Sequence, residues 1–464
     1  MQTATIHPRG RTQPCPSARP RRKLAIVSTY PPRECGIATF THDLREGLAA
    51  AAPDLDVVVC AVDRDGLRYG PEAVAILDQD DPASYPRAAK QLAAAGVDAV
   101  LIQHEFGIFG GPDGAWVNDL AAELTSHGIP YLATLHTVLS QPTPHQAEVL
   151  RQLCESAAAV TVFTPTARRL AKATGIAAAE RFPIVPHGAP AILRPEWSMR
   201  QWSARHDDGH RGLTVRPEVA AVLADTRDAT VASTFGLLSP GKGLHTGIEA
   251  VARVAADVPD LRYVIAGATH PEIVRKDGES YRESLERLAD ELGVRDRVTF
   301  LDFFLTDAEI AALLAQTSVF LTPYRSSEQI SSGALTFALA AGVPAVSTGY
   351  HYATDMLAGG AGITTPCGDI EAFTNALRAL LTEPGRLAAA TAAARAAGDR
   401  LAWSAVAGQL AEVIAGVMRT GAARVDARRR LPASPSRVAY AVQSARSSRP
   451  VRWAGEVAAS FDAA

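Results

Sequence analysis

The sequence predicts two doubly wound α/β domains facing one another across a cleft, and three observations carry that expectation. Short, continuous apolar runs alternate with helical stretches from residue 24 to about 190. The same alternation restarts at 231, after a polar, glycine-dotted interval. At 464 residues the chain is also longer than one hydrophobic core ordinarily serves.

In the first half the runs are LAIVS (24–28), DVVVCAV (56–62), DAVLIQ (98–103), YLATLH (131–136) and AAVTVF (158–163). Each is short and bounded by turn residues, as buried strands of a parallel sheet are. In the second half they are VASTF (231–235), LRYVIAG (261–267), RVTFL (297–301), SVFLT (318–322) and PAVST (344–348). Helices of clear period lie between them. Ile248, Val251, Ala252 and Ala255 recur at i, i+3, i+4 and i+7, as do Leu285, Leu288, Ala289 and Leu292. Glu283 and Arg287 add an i,i+4 ion pair away from those leucines.

The remaining segments read as connections and extensions. Residues 1–23 hold six basic residues, no acidic ones and four prolines, so a disordered basic extension is expected. Residues 191–230 read as a linker or insertion, with His187 and Gly188 as a hinge before it. The first domain is therefore 24–190 and the second 231–395. After 421 the chain turns to Ala, Arg, Ser and Pro, with eight arginines against three acids. Residues 421–464 read as a disordered tail, or as an arm for an anionic partner.

Composition narrows the function classes. A net charge of -3 from 46 basic and 49 acidic residues gives no whole-chain case for nucleic acid. No apolar run reaches the length of a membrane span. The five cysteines are scattered, without metal spacing, which suits a reducing, cytoplasmic setting. No metal site is expected.

Three loops at strand–helix junctions could carry chemistry. In STYPPRECGIATFTHDL, Gly36 allows close backbone approach and Ile37 opens a helix whose N–H groups could meet a phosphate or sugar oxygen. In FGLLSPGKGLHTG, Gly236, Gly241 and Gly243 make the loop compliant and Lys242 places an ammonium for a diphosphate. In SSEQISSGALTF, Ser331, Ser332 and Gly333 form a helix mouth for an anion, with Glu328 in front as an acceptor for sugar hydroxyls. His104, with Glu105 beside it, and His136 follow strands and could hydrogen-bond a polyol or phosphate; a structural role for either histidine stays open.

These loops, in this order, resemble the retaining nucleotide-sugar glycosyltransferases of the glycogen-synthase and sucrose-phosphate-synthase-like superfamily (glycosyltransferase family 4, or group 1). Their fold is GT-B: two Rossmann-like domains. The resemblance runs from about 24 to 415. A finer likeness is to a bacterial subgroup with STYPP-x-x-CGIATF, HEFGIFGG, LHTVL, FGLLSPGKG, GATHP and EQI-x-SG, all present here. It implies an acceptor-side first domain, a donor-side second domain, and a helix over 396–420, containing Trp403, that crosses back to the first.

The resemblance also implies site roles. Gly36 and its neighbours approach donor phosphates or acceptor, His136 lies near the transferred sugar, and Lys242 meets the diphosphate. Gly333 and its helix hold the donor, and Glu328 contacts its sugar or ribose. No cofactor or metal is implied beyond the nucleoside-diphosphate sugar, and the acceptor is a hydroxyl compound. Two departures stand out. The family's paired glutamates fall at Gln329 and Phe337, with Glu328 one residue out of register and Thr336 eight positions after it. The family's phosphate-loop arginine is Leu237, and three explanations compete for these departures: a shifted loop places Glu328, another cation (Arg325 or Arg33) replaces the arginine, or the ligand is not a nucleotide diphospho-sugar. Other readings on the same plan are an epimerase, a phosphorylase, or a nucleotide- or sugar-binding protein without turnover.

Overall fold

Every one of those apolar runs forms a parallel strand in the computed structural model, which describes residues 21–176, 182–194 and 215–430. The first sheet contains β1 (Arg22–Ser28), β2 (Leu55–Asp63), β3 (Ala73–Asp78), β4 (Ala99–His104), β5 (Tyr131–Leu135) and β6 (Ala159–Thr161), in the order β3-β2-β1-β4-β5-β6. The second contains β7 (Thr230–Phe235), β8 (Leu261–Ala266), β9 (Val298–Leu301), β10 (Thr317–Thr322), β11 (Ala345–Thr348) and β12 (Gly362–Thr365), in the order β12-β11-β10-β7-β8-β9. The central strands are covered on both faces: Leu24, Ala25, Ile26 and Val27 are fully buried, with Ile26 in register with Val59 and Leu101.

Both sheets wind the same way. Strand order reverses between β1 and β4 in one and between β7 and β10 in the other. Loops leaving the carboxyl ends of such neighbours diverge and leave a crevice. The segments after β1, β4, β7 and β10 are therefore the ones placed to build a site, and they contain the three loops singled out above.

Two strands lie outside the apolar runs: β3 and β12, each at a sheet edge. β3 alternates buried and exposed positions, with Ile76 48% exposed, so it lacks the continuous run of a central strand. The expected linker 191–230 contains a helix, Pro217–Asp225, which buries Val219 and Leu223. Proline at its first position and the Val219/Leu223 spacing explain it. The last helix, Trp403–Arg430, runs past residue 421, where a tail was expected, because Ala and Arg are strong helix formers. The expected segments at 1–20, 195–214 and 431–464 lie outside the described residues.

That last helix packs on the helix Gly36–Ala51. At their contact a Cβ on Gly47 would sit 3.1 Å from Ala407 Cβ. Trp403 N–H donates to Ala189 C=O (3.1 Å), Ala189 N–H donates to Leu401 C=O (2.7 Å), and the Trp403 and Phe40 rings meet edge-to-face at 5.2 Å. Among the described residues no helix is long and apolar enough to cross a membrane.

Candidate active site

The two halves enclose a cavity of about 680 Å³. The first domain supplies Gly36, Ile37, Phe40 and His42 from the start of Gly36–Ala51, together with Glu34, Glu105, His136 and His187. The second supplies Gly236, Leu237 and Lys242 from the loop after β7, Tyr324, Gln329, Ser331, Ser332 and Gly333 after β10, and Phe304 to Asp307 after β9.

Local sequence sets each helix mouth. Cys35 caps Gly36–Ala51, its Sγ accepting from Ala38 N–H at 3.4 Å. Ser332 caps Gly333–Ala340, its Oγ accepting from Leu335 N–H at 3.3 Å. The first amides of both helices thus stay available to a ligand. A Cβ on Gly36 would meet nothing within 4 Å, and one on Gly333 would come 3.4 Å from His187 Nε2. Gly236 has φ +120 and its carbonyl would lie 2.0 Å from a Cβ on Gly267, so two cavity-lining loops run back to back.

Lys242 holds its Nζ 3.4 Å from Tyr324 Oη and 4.5 Å from the centre of the Tyr324 ring. Tyr324 in turn stacks on Tyr350 at 4.9 Å. Gly241 and Gly243 shape this loop rather than line the cavity. Gly241 C=O accepts from Arg325 N–H (2.9 Å), and Gly243, at φ +61, leaves no room for a Cβ beside Pro323 C=O (2.1 Å).

His136 is buried between Phe40 (5.0 Å) and Phe163 (4.9 Å), with Nε2 2.9 Å from Gln103 Oε1. Burial, aided by the charges His187 and His104 would carry, pushes its pKa down to about 3, so the ring is neutral. His187, read from sequence as a hinge, instead lines the cavity beside Phe40 and Trp403, and burial lowers it to about 4. Its neighbours in sequence carried no signal of that position.

Glu105 lines the cavity with one carboxylate oxygen accepting from Phe106 N–H (2.9 Å) and the other from the Thr137 hydroxyl. Burial raises it to about 7 against those hydrogen bonds. His104 is absent from the cavity wall. It is buried against Phe106 and Phe109, neither ring nitrogen has a hydrogen-bond partner, and burial lowers it to about 3.

Several expected ligands point elsewhere. Glu328 is not a cavity residue: its carboxylate accepts from Ser140 N–H and Ser140 Oγ–H, both at 2.6 Å, across the gap between the domains. Beside it, Ser331 Oγ–H donates to His136 C=O at 3.0 Å. Thr336 is fully buried, its hydroxyl on Ser332 C=O (2.7 Å) and Tyr352 Oη (2.6 Å). Arg33 bonds Gln79 Oε1 at 3.2 Å, outside the cavity. Arg325 borders a separate cavity of about 360 Å³ with His245 and Cys367. Neither arginine therefore fills the place of Leu237, which itself lines the main cavity, as does Phe337.

Among the described residues, the cation that joins Lys242 in the cavity is Arg216, the residue before the helix Pro217–Asp225. It is ion-paired with buried Glu309. Burial would raise Glu309, but hydrogen bonds from Arg216 and Thr306 outweigh it and hold the acid at about 2. Nothing in its sequence neighbourhood announced Arg216, although Thr306 and Glu309 form a capping box that spacing alone reveals. Asp307 also lines this end. Behind it lies buried Asp43, raised to about 8 by burial and by the charge of Asp307. Among the described residues no group of three His, Cys, Asp or Glu side chains is arranged to hold a metal.

Comparison with known proteins follows the same lines. Residues 217–397 match the family model of glycosyl transferases group 1. The backbone superposes on sucrose-phosphate synthase from Thermosynechococcus elongatus over 86% of this chain and 100% of that one, with a TM-score of 0.66 and 17% identity. The chain has a GT-B-like fold, two Rossmann-like domains facing across a cleft. Two further GT-B structures agree. The Anabaena protein HepE, in complex with UDP and glucose, covers 85% of this chain and is itself covered fully (TM-score 0.63, 16% identity). Trehalose 6-phosphate synthase from Burkholderia multivorans covers 90%, also in full (TM-score 0.61, 16% identity). In sequence, 196 residues are 31% identical to a GDP-mannose-dependent phosphatidylinositol monomannoside mannosyltransferase of Mycolicibacterium smegmatis. That match takes in 41% of this chain and 48% of the mannosyltransferase, about half its length.

Proposed function

We propose that this protein transfers a hexosyl group from a nucleoside-diphosphate sugar to a hydroxyl acceptor with retention of anomeric configuration. The observation that supports it best is the meeting, around one cavity of about 680 Å³, of Lys242 and the open mouth of Gly333–Ala340 with His136 and Glu105 from the opposite domain. A nucleotide sugar is of a size with such a cavity. The group 1 match over the donor half, the GDP-mannose dependence of the mycobacterial mannosyltransferase and the UDP-glucose complex of HepE support the same reading.

In this reading residues 24–190 form the acceptor side and 231–395 the donor side. As the bond from the sugar's anomeric carbon to the phosphate oxygen breaks, charge grows on the leaving diphosphate. Lys242 and the amides at Gly333 and Ala334 stabilise that charge more than the ground state. The acceptor oxygen bonds to the anomeric carbon on the same face, and its proton passes to the departing phosphate. Neutral His136 orients a sugar hydroxyl, and Glu105 holds the acceptor hydroxyl. Closure over the site excludes water, the competing acceptor. A cytoplasmic setting and membership of the bacterial CGIATF subgroup belong to the same reading.

The test is nucleoside-diphosphate release from a panel of donors and acceptors, for wild type and Lys242→Ala. Loss of a preorganised cation should lower kcat by roughly 10²–10³, with an unchanged circular dichroism spectrum. Wild-type kinetics in Lys242→Ala would refute the phosphate assignment. A second reading, binding without turnover, is favoured by Leu237 and Phe337 in the cavity wall. Tight donor binding with no product across the panel would establish it.

A further inference from the structure

We propose that Arg216 selects the nucleobase of the donor, favouring a base with a ring carbonyl on its exposed edge (guanine or uracil) over adenine. The proposal rests on the nucleotide-sugar reading of the cavity. Arg216 lines that cavity with its side chain 38% exposed.

Its guanidinium is pinned. Nε–H donates to Glu309 Oε1 at 2.6 Å, and Nη2 donates to Glu309 Oε2 at 2.5 Å and to Phe304 C=O at 2.7 Å. The Phe303 ring lies 3.7 Å beneath Cζ. Glu309 is itself held. It is 1% exposed and also accepts from Arg216 N–H (3.1 Å), Thr306 N–H (2.9 Å) and Thr306 Oγ–H (3.1 Å). Guanidinium carries five N–H donors. Nε and Nη2 account for three of them, and Nη1 has no hydrogen-bond partner among the described residues. A rigid donor edge is therefore left for something in the cavity.

Charge indicates what that something is. The Arg216 cation is already matched by Glu309. Asp307 and exposed Glu34 line the same cavity, and Glu34 acts on the guanidinium through space. A diphosphate would meet carboxylates at this end, whereas Lys242 and the Gly333 amides offer it a cation and free donors. A neutral acceptor suits Nη1 better. Phe304, Leu305 and Ile310 supply apolar walls for a flat ring alongside it. Guanine presents O6 and N7, the acceptor pair that arginine reads in nucleic acids, and uracil presents a carbonyl oxygen. Adenine keeps N7 but carries an amino group where guanine has O6, which sets donor against donor and strands one of the two Nη1 N–H groups.

Titration calorimetry with GDP, UDP and ADP tests this on wild type, Arg216→Ala and Arg216→Lys. Lysine retains a cation for buried Glu309, so it serves where the alanine variant does not fold; thermal melts verify both. In wild type, GDP or UDP should bind about tenfold or more tighter than ADP, the size expected of one charge-assisted hydrogen bond. Both variants should lose that preference while ADP binding stays unchanged. Equal binding of all three by wild type, or a preference that survives Arg216→Lys, overturns the proposal and leaves the nucleotide-sugar reading standing. If wild type binds none of the three, that reading falls and takes the proposal with it.

Discussion

Removing the Glu328 carboxylate should open the cleft rather than strip the donor site. Glu328 receives two hydrogen bonds from Ser140, on the opposite domain, and does not line the cavity. A hydrogen bond to a charged group contributes about 1.5–3 kcal/mol. Glu328 is only half-buried, and solvent screening brings the pair to roughly 2 kcal/mol for the closed arrangement. Glu328→Ala should then lower the closed-to-open ratio about thirtyfold. Other bonds between the domains remain: Ser331 on His136 C=O, and Asp355 with Thr166 N–H (2.8 Å) and Oγ–H (2.7 Å). They limit the change to a shift in population. Small-angle scattering should show a larger radius of gyration for Glu328→Ala, restored by saturating donor. Ser140→Ala, which keeps the backbone bond, should show a smaller change of the same kind. The reasoning is refuted if Glu328→Ala scatters like wild type while losing donor affinity and Ser140→Ala is silent; Glu328 would then be the donor ligand that its sequence position suggests.

Two further outcomes concern buried acids. Burial pushes the Glu105 carboxyl up from its ordinary value of 4.5 to about 7, so the folded state holds its proton more tightly. Its unfavourable contribution is absent below pH 4.5 and grows as pH rises through 7, by roughly 3 kcal/mol in all. Denaturant melts of Glu105→Gln should therefore lose less stability than wild type between pH 5 and 8, and a parallel pH dependence in the two proteins would contradict this. Asp43, raised to about 8 with one carboxylate oxygen unpartnered, acts in the same direction. Asp43→Asn should raise the melting temperature at pH 8 and change it little at pH 4; a lowered value at pH 8 would count against the burial argument.

The two-sheet architecture was legible because central parallel strands are buried on both faces and leave continuous apolar runs. β3 and β12 left none, since an edge strand with one face in water has no need of a continuous run. The loops at 28–44, 235–250 and 326–348 could be located because Gly, Ser and Lys at strand–helix junctions signal an available helix mouth. Lys242, Ser332 and Gly333 do reach the cavity that this signal suggests.

By itself, then, the sequence determined which segments stand at the crevices and which backbone groups they offer, because those features depend on neighbours in the chain. Only the tertiary structure decided which side chains face the same space. It sent Glu328 across to Ser140, Arg325 into another cavity and Thr336 into the protein interior, and it brought in His187 and Arg216 from segments that read as hinge and linker. Side-chain direction at a domain boundary depends on partners far away in sequence. Glu328 and Ser140, separated by 188 residues, meet only after both sheets have formed and closed.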